Sequence, residues 1–323
     1  MKCRQRLPYT RGSQVKAATS WPSRERHECR HVRRKGIDVN RPKTKILVDG
    51  GDPRETLIIK ELLGFVDGQT TNPTLISKNP HIKTLLDSGH KLSNREELDE
   101  YKKIVREISP VVGDAGVSIE VFADRGTTAQ MMLDQAVEMY SWIPNAYIKY
   151  PCTSEGLRAA EISVERGIRA NMTLCFSQLQ VAAVYAATRN TKAPVYVSPF
   201  VGRLDDIGQN GMDLIKNAKR MLVKGDGLVK VLAASIRNVD QLLYSFLLYA
   251  DLVTVPANVL KTWADQNFPM PSNDFVYKNS GRPISYEEVD LNQSWETYDI
   301  RHDLTTKGLE KFAEDYRKTV ATG

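Results

Sequence analysis

The chain has 323 residues, 41% of them hydrophobic. That is enough for a sizeable core, and the length allows one domain or two, since α/β barrels run to about 250 residues as one unit. No stretch approaches the roughly 18 consecutive apolar residues of a membrane span, and four scattered cysteines form no disulfide framework, so a reduced, cytoplasmic protein without membrane association is expected. The net charge of +6 hides an asymmetry: residues 1–45 carry fourteen Lys or Arg against three Asp or Glu, and the remainder carries 31 basic against 36 acidic side chains.

The basic excess therefore belongs to the head. Residues 1–44 have neither an apolar h-region nor an amphipathic stripe, and they read as a disordered extension or a start-site artefact, not a targeting peptide or nucleic-acid arm. Cys3, His27, Cys29 and His31 lack zinc-hook spacing, so no metal is expected there.

From residue 45 short β-branched runs alternate with helical stretches. The first strand is expected over Ile46–Asp49. Asp52-Pro53-Arg54-Glu55 then sets an N-cap carboxylate, a first-turn proline and a capping-box glutamate in order, and Gly64 stops that helix. A second strand, Val66–Thr70, runs into the helix start Asn72-Pro73. Further strands are expected over Val117–Val121, Ala146–Tyr150, Ile168–Leu174, Pro194–Ser198, Leu228–Ala233 and Leu252–Val255. Ser177 to Gln180 and Asn238 to Gln241 repeat the capping-box spacing after strands five and seven.

Repeated βα units imply parallel strands. Eight of them within residues 45–265 fit an α/β fold of the closed (β/α)8, TIM-barrel type, and no G-x-G-x-x-G loop favours an open doubly wound sheet. Residues 266–323 comprise an irregular Pro- and Asn-containing stretch and an amphipathic helix from about Thr305 to Arg317. That tail is expected to pack on the barrel or on a neighbouring subunit of a homo-oligomer.

In a parallel barrel, functional side chains gather at the carboxyl ends of the strands. The predicted strands deliver Asp49, Asn72, Glu120, Lys149, Asn171, Thr173, Ser198, Ser235 and Arg237 there, with Arg203 close behind strand six. In strand five Ala170, Met172 and Leu174 alternate with Asn171 and Thr173, so one face is apolar and the other polar. Burying that polar face is costly unless it serves something. Lys149, in an apolar strand, is either an end-of-strand residue reaching solvent or a desolvated amine able to form a Schiff base. Lys230 has a similar setting, and spacing does not choose between them.

Six segments carry a family resemblance in one order. Asp67-Gly68-Gln69-Thr70-Thr71-Asn72-Pro73-Thr74-Leu75-Ile76, Ile148-Lys149-Tyr150-Pro151-Cys152-Thr153, Asn171-Met172-Thr173-Leu174, Ser198-Pro199-Phe200-Val201-Gly202-Arg203 and Ala233-Ala234-Ser235-Ile236-Arg237-Asn238 resemble transaldolase signatures. Tyr298–Phe312 is similar to that family's tail helix. The resemblance implies a Schiff-base enzyme that moves a dihydroxyacetone unit between sugar phosphates, with no cofactor. It implies Lys149 as nucleophile, Asp49 as acid/base, and Glu120 with Thr173 positioning a water. By the same resemblance Asn72, Asn171, Ser198 and Phe200 line the sugar site, and Arg203, Ser235 and Arg237 take the phosphate, whose oxygens suit guanidinium forks.

Sequence departures are Asp49-Gly50-Gly51-Asp52, where the family has a small hydroxyl residue or alanine nearby, Cys152, and Asn267–Glu296. The alternatives are a fructose-6-phosphate aldolase, whose relatives tend to carry glutamine and tyrosine where this chain has Glu120 and Phe200, and an inactive barrel acting as a binding protein. A metal-dependent aldolase is disfavoured, because no histidine occurs between His90 and His302.

Overall fold

The computed structural model describes residues 41–272 and 274–321, and the head with its Cys3, His27, Cys29 and His31 lies outside the described residues. The first half runs β1 (Lys45–Asp49), α1 (Pro53–Leu63), β2 (Gly68–Thr70), α2 (Pro73–Ser77), α3 (Pro80–Asp87), α4 (Asn94–Ile108), β3 (Gly116–Glu120), α5 (Ala129–Tyr140), β4 (Ala146–Pro151) and α6 (Ser154–Glu165). The second half runs β5 (Ala170–Cys175), α7 (Gln178–Ala187), β6 (Val195–Pro199), α8 (Val201–Asp205), α9 (Gly211–Leu222), β7 (Val229–Ala233), α10 (Val239–Leu247), β8 (Leu252–Val255), α11 (Ala257–Asp265) and α12 (Asp303–Thr319). The strands pair in sequence order and close into a barrel, with β8 parallel to β1. No helix among the described residues is long and apolar enough to cross a membrane.

Each strand falls within two residues of the span its β-branched run predicts. The differences lie mainly at strand starts. Val66 and Ile168 are buried apolar residues of the lead-in turns that pack without joining a ladder. Local capping chemistry sets the helix starts. Asp52 caps α1 by accepting from the Arg54 amide, and Gly64 ends it at φ +80°, a conformation cheap only for glycine. Ser177 and Asn238 cap α7 and α10 through the amides of Gln180 and Gln241. The two glutamines reach back one residue further than a capping box requires, accepting from the amides of Phe176 and Arg237.

The stretch after α11 runs as a strap along the barrel's flank. Gln178 brackets Glu287, donating to its carbonyl and accepting from its amide, both at 2.9 Å. Asn217 donates to the Ile284 carbonyl, and Tyr277 stacks on Tyr244 at 4.9 Å. The strap delivers α12 across the carboxyl ends of the strands. Thr305 donates to the Leu174 carbonyl at 2.9 Å, Thr74 donates to Asp315, and Leu92 exchanges backbone bonds with Thr319 and Ala321. α12 starts two residues before the expected Thr305 because His302 Nδ1 accepts from the Leu304 amide, a cap outside the usual Ser, Thr, Asp and Asn set.

Glu97 on α4 is 4% exposed, and burial pushes its carboxyl up to about 7. A raised carboxyl pKa favours the protonated folded state, so its contribution is full below the unfolded value and is lost as pH rises through about 7. We expect Glu97→Gln to be more stable than wild type at about pH 8 by about 3 kcal/mol and nearly equal at about pH 4.5, one pKa unit being worth about 1.4 kcal/mol. Urea midpoints at the two pH values check this, and an equal gain at both would assign the effect to packing.

Candidate active site

Strand register assembles the polar set. Glu120 on β3 pairs in register with Lys149 on β4, which pairs with Asn171 on β5. On β1, Asp49 pairs with Thr70. Alternation then turns Glu120, Lys149, Asn171 and Ser198 into the barrel at one end.

Lys149 is 4% exposed, and its Nζ donates to the Thr71 carbonyl at 2.8 Å and lies 2.7 Å from Glu120 Oε2. The approach to Glu120 is an ion pair rather than a directed hydrogen bond, and that oxygen has no hydrogen-bond partner among the described residues. Burial raises the Glu120 carboxyl pKa, with the Lys149 ammonium pulling it back. Asp49 is raised for the same reason, offset by the charges of Lys149 and Arg203 and by the Thr70 hydroxyl, which donates to Oδ1 at 2.7 Å.

A second layer holds these groups in place. Thr71 Oγ1 gives its proton to the Ser118 carbonyl at 2.7 Å, so the 2.5 Å contact with Tyr101 is donated by the phenol. The Tyr101 oxygen in turn accepts from the Glu120 amide at 2.9 Å. One phenol from α4 thereby ties together the segments carrying Thr71 and Glu120. Ser198 Oγ donates to Asn171 Oδ1 at 2.7 Å, and Asn171 Nδ2 donates to Ser118 Oγ at 3.0 Å. Thr254 completes the Thr70 bond at 2.6 Å. Tyr101, Thr70, Thr71, Ser118 and Thr254 carry no site role expected from the sequence. The inward alternation of β2, β3 and β8 could have indicated Thr70, Ser118 and Thr254; nothing local indicates Tyr101.

Thr173 Oγ1 is buried and has no hydrogen-bond partner among the described residues. The next residue, Leu174, sits at φ +59° where the β5–β6 register shifts, an uncommon backbone for a leucine. Asn72 caps α2 by accepting from the Leu75 amide at 3.0 Å.

Phe200 packs edge-on against Phe176 at 5.7 Å, and Phe176 stacks on His302 at 5.2 Å. Arg203 lies between the rings of Phe200 at 5.1 Å and Phe312 at 5.2 Å, and burial lowers its pKa. It forms no ion pair with Asp205 or Asp206. Arg237, more open to solvent, pairs with Asp206 at 3.0 Å. Gly202 lies between the two arginines, and a Cβ there would come within 2.5 Å of Arg237 Nε and of the Ser235 carbonyl. Ser235 itself holds φ +59°.

Lys230 lies elsewhere. It is the second residue of β7 and lines a cavity at the amino-terminal end of the barrel with Lys43 and Lys45. A 760 Å³ cavity along the start of α12 contains none of the site side chains. The chemistry is therefore indicated by the buried polar set rather than by cavity size.

A family profile described as "Transaldolase/Fructose-6-phosphate aldolase" matches residues 46–323. The chain is 34% identical over 263 residues to a "Probable transaldolase" of Thermoplasma volcanium, spanning 81% of this chain and 90% of that one. It is 33% identical over 276 residues to another of Citrifermentans bemidjiense, spanning 85% and 98%. The tryptophan synthase A-subunit of Pyrococcus furiosus superposes with a TM-score of 0.42 at 15% identity over 85% of this chain and 98% of that one, a likeness too weak to add to the topology. Profile and relatives agree over nearly all of the barrel and tail: the chain belongs to the transaldolase/fructose-6-phosphate aldolase family.

Proposed function

We propose that this chain is a transaldolase that transfers a dihydroxyacetone unit from sedoheptulose 7-phosphate to glyceraldehyde 3-phosphate through a Schiff base on Lys149. The observation that carries the reading is the buried Lys149 amine, held between the Thr71 carbonyl and Glu120. An amine needs its lone pair to attack a ketone, and the adjacent Glu120 carboxylate is placed to accept the ammonium proton. Attack forms a carbinolamine, which loses water to give the iminium. Glu120 and Thr173 flank that step. The unpartnered Thr173 hydroxyl supports a polar partner in the working enzyme, because an unmade buried bond costs about 1–3 kcal/mol.

Asp49 then takes the proton of the donor hydroxyl while the adjacent C–C bond breaks and its electron pair moves into the enamine on Lys149. Burial raises its pKa, which makes it a stronger base than a free carboxylate. Asn72, Asn171 and Ser198 fit the sugar hydroxyls. Arg203, Ser235 and Arg237, gathered around Gly202, fit the phosphate. Borohydride trapping with fructose 6-phosphate, with the adduct mapped and transfer to erythrose 4-phosphate followed, tests the whole reading. An unlabelled Lys149 would reject it.

Phe200 separates transferase from aldolase. A transferase must keep the enamine until an aldehyde arrives, and phenylalanine offers no proton and helps exclude water. Phe200→Tyr adds one hydroxyl able to donate through a bound water. Release of free dihydroxyacetone from fructose 6-phosphate is expected to rise several-fold, and transfer to erythrose 4-phosphate to fall. Both are read on one enzyme preparation. A wild type that releases dihydroxyacetone as fast as it transfers it would be an aldolase.

A further inference from the structure

The side-chain alternation that points Asp49, Lys149 and Ser198 toward one end of the barrel also turns residues at the other end inward. On β1 that residue is Lys45, on β4 Tyr147, on β6 Tyr196 and on β7 Lys230. Closed barrels usually fill their interior layers with branched apolar side chains. Here these four line a cavity of about 630 Å³, within the roughly 300–1,000 Å³ range of small-molecule sites.

The charges in the cavity do not cancel. Lys45 is paired with Asp114 and Lys219 with Asp251, both at 2.8 Å. Lys43 and Lys230 also line the cavity, and neither has a carboxylate partner among the described residues. Two ammonium groups thus remain uncompensated in one concave surface, the complement of a dianion. The wall is rigid. Tyr147 and Tyr196 stack at 4.1 Å with 14° between their planes, Arg169 covers Tyr147 at 5.1 Å, and the Tyr196 hydroxyl donates to the Ala115 carbonyl at 3.3 Å. Lysine ammonium groups bind phosphate as point charges, and a bare phosphate ion would leave most of this volume unfilled.

We propose that the amino-terminal end of the barrel is a second binding site, for a small phosphate monoester whose organic body fills the cavity beside the buried Tyr147–Tyr196 stack. The proposal does not rest on the Schiff-base reading of Lys149. The mouth site at Arg203 and Arg237 lies at the opposite end of the strands.

The probe is phenyl phosphate, added to the full chain while lysine acetylation by trace acetic anhydride is mapped by peptide mass spectrometry. Sodium chloride at equal ionic strength is the control. Phenyl phosphate is expected to slow acetylation of Lys43 and Lys230 several-fold and in a saturable way, with sodium chloride without effect. Lys230→Gln is expected to weaken the half-saturating concentration for Lys43 protection by about tenfold or more, as loss of one charge-assisted contact does. Lys43→Gln, at an exposed position, provides the reciprocal reading should Lys230→Gln fold poorly. Arg237→Ala is expected to leave the protection intact. The proposal fails if neither lysine is protected, if salt protects equally, if protection survives both lysine substitutions unchanged, or if it disappears in Arg237→Ala.

Discussion

Lys149→Ala is expected to abolish the borohydride-trapped adduct with fructose 6-phosphate and to lower turnover by about four orders of magnitude or more, the scale seen when a covalent nucleophile is removed. Among the described residues the one other lysine in a strand interior is Lys230, which opens to the far end of the barrel. Lys230→Ala is therefore expected to keep the adduct. Because Lys149 neutralises the buried Glu120 at 2.7 Å, the alanine variant also leaves a carboxylate without its counter-charge. Breaking a buried pair costs about 3–5 kcal/mol when one partner remains charged. Lys149→Ala with Glu120→Gln should recover part of the thermal midpoint without recovering the adduct. An adduct that persists in Lys149→Ala would move the nucleophile and undo the mechanism.

Gly308→Val is expected to raise KM for phosphorylated sugars about tenfold or more, the cost of losing a charge-assisted contact, with a smaller change in kcat. Glycine inside a helix costs about 1 kcal/mol relative to alanine, so its position in α12 calls for a packing reason. A Cβ on Gly308 would lie 2.5 Å from Leu174 Cδ2 and 2.6 Å from Arg203 Nη1. Valine would push α12 off the end of β5 and displace the guanidinium from between Phe200 and Phe312. Overpacking of this kind costs about 1–3 kcal/mol, so the thermal midpoint should fall as well. Steady-state kinetics on phosphorylated and unphosphorylated donors separate the two effects. Equal losses on both donors would make Gly308 a packing residue only and leave Arg203 without a phosphate role.

What the sequence by itself determined is whatever depends on near neighbours along the chain. Alternating β-branched runs placed eight strands, and Asp52, Gly64, Asn72, Ser177 and Asn238 marked helix ends, because each bonds backbone within a few residues. The same alternation made Asn171 and Thr173 visible as polar residues on an inward face. The tertiary structure alone decided which end of the barrel each inward side chain serves. Lys149 and Lys230 have nearly the same local setting, and a boundary shift of a residue or two separates a mouth lysine from a basal one. It also decided that Tyr101, from α4, fastens the segments carrying Thr71 and Glu120, and that Arg203 lies under α12 rather than against Asp205 or Asp206. Those contacts join residues tens to more than a hundred positions apart. They arise from barrel closure and from the docking of the tail helix, and no local period encodes them.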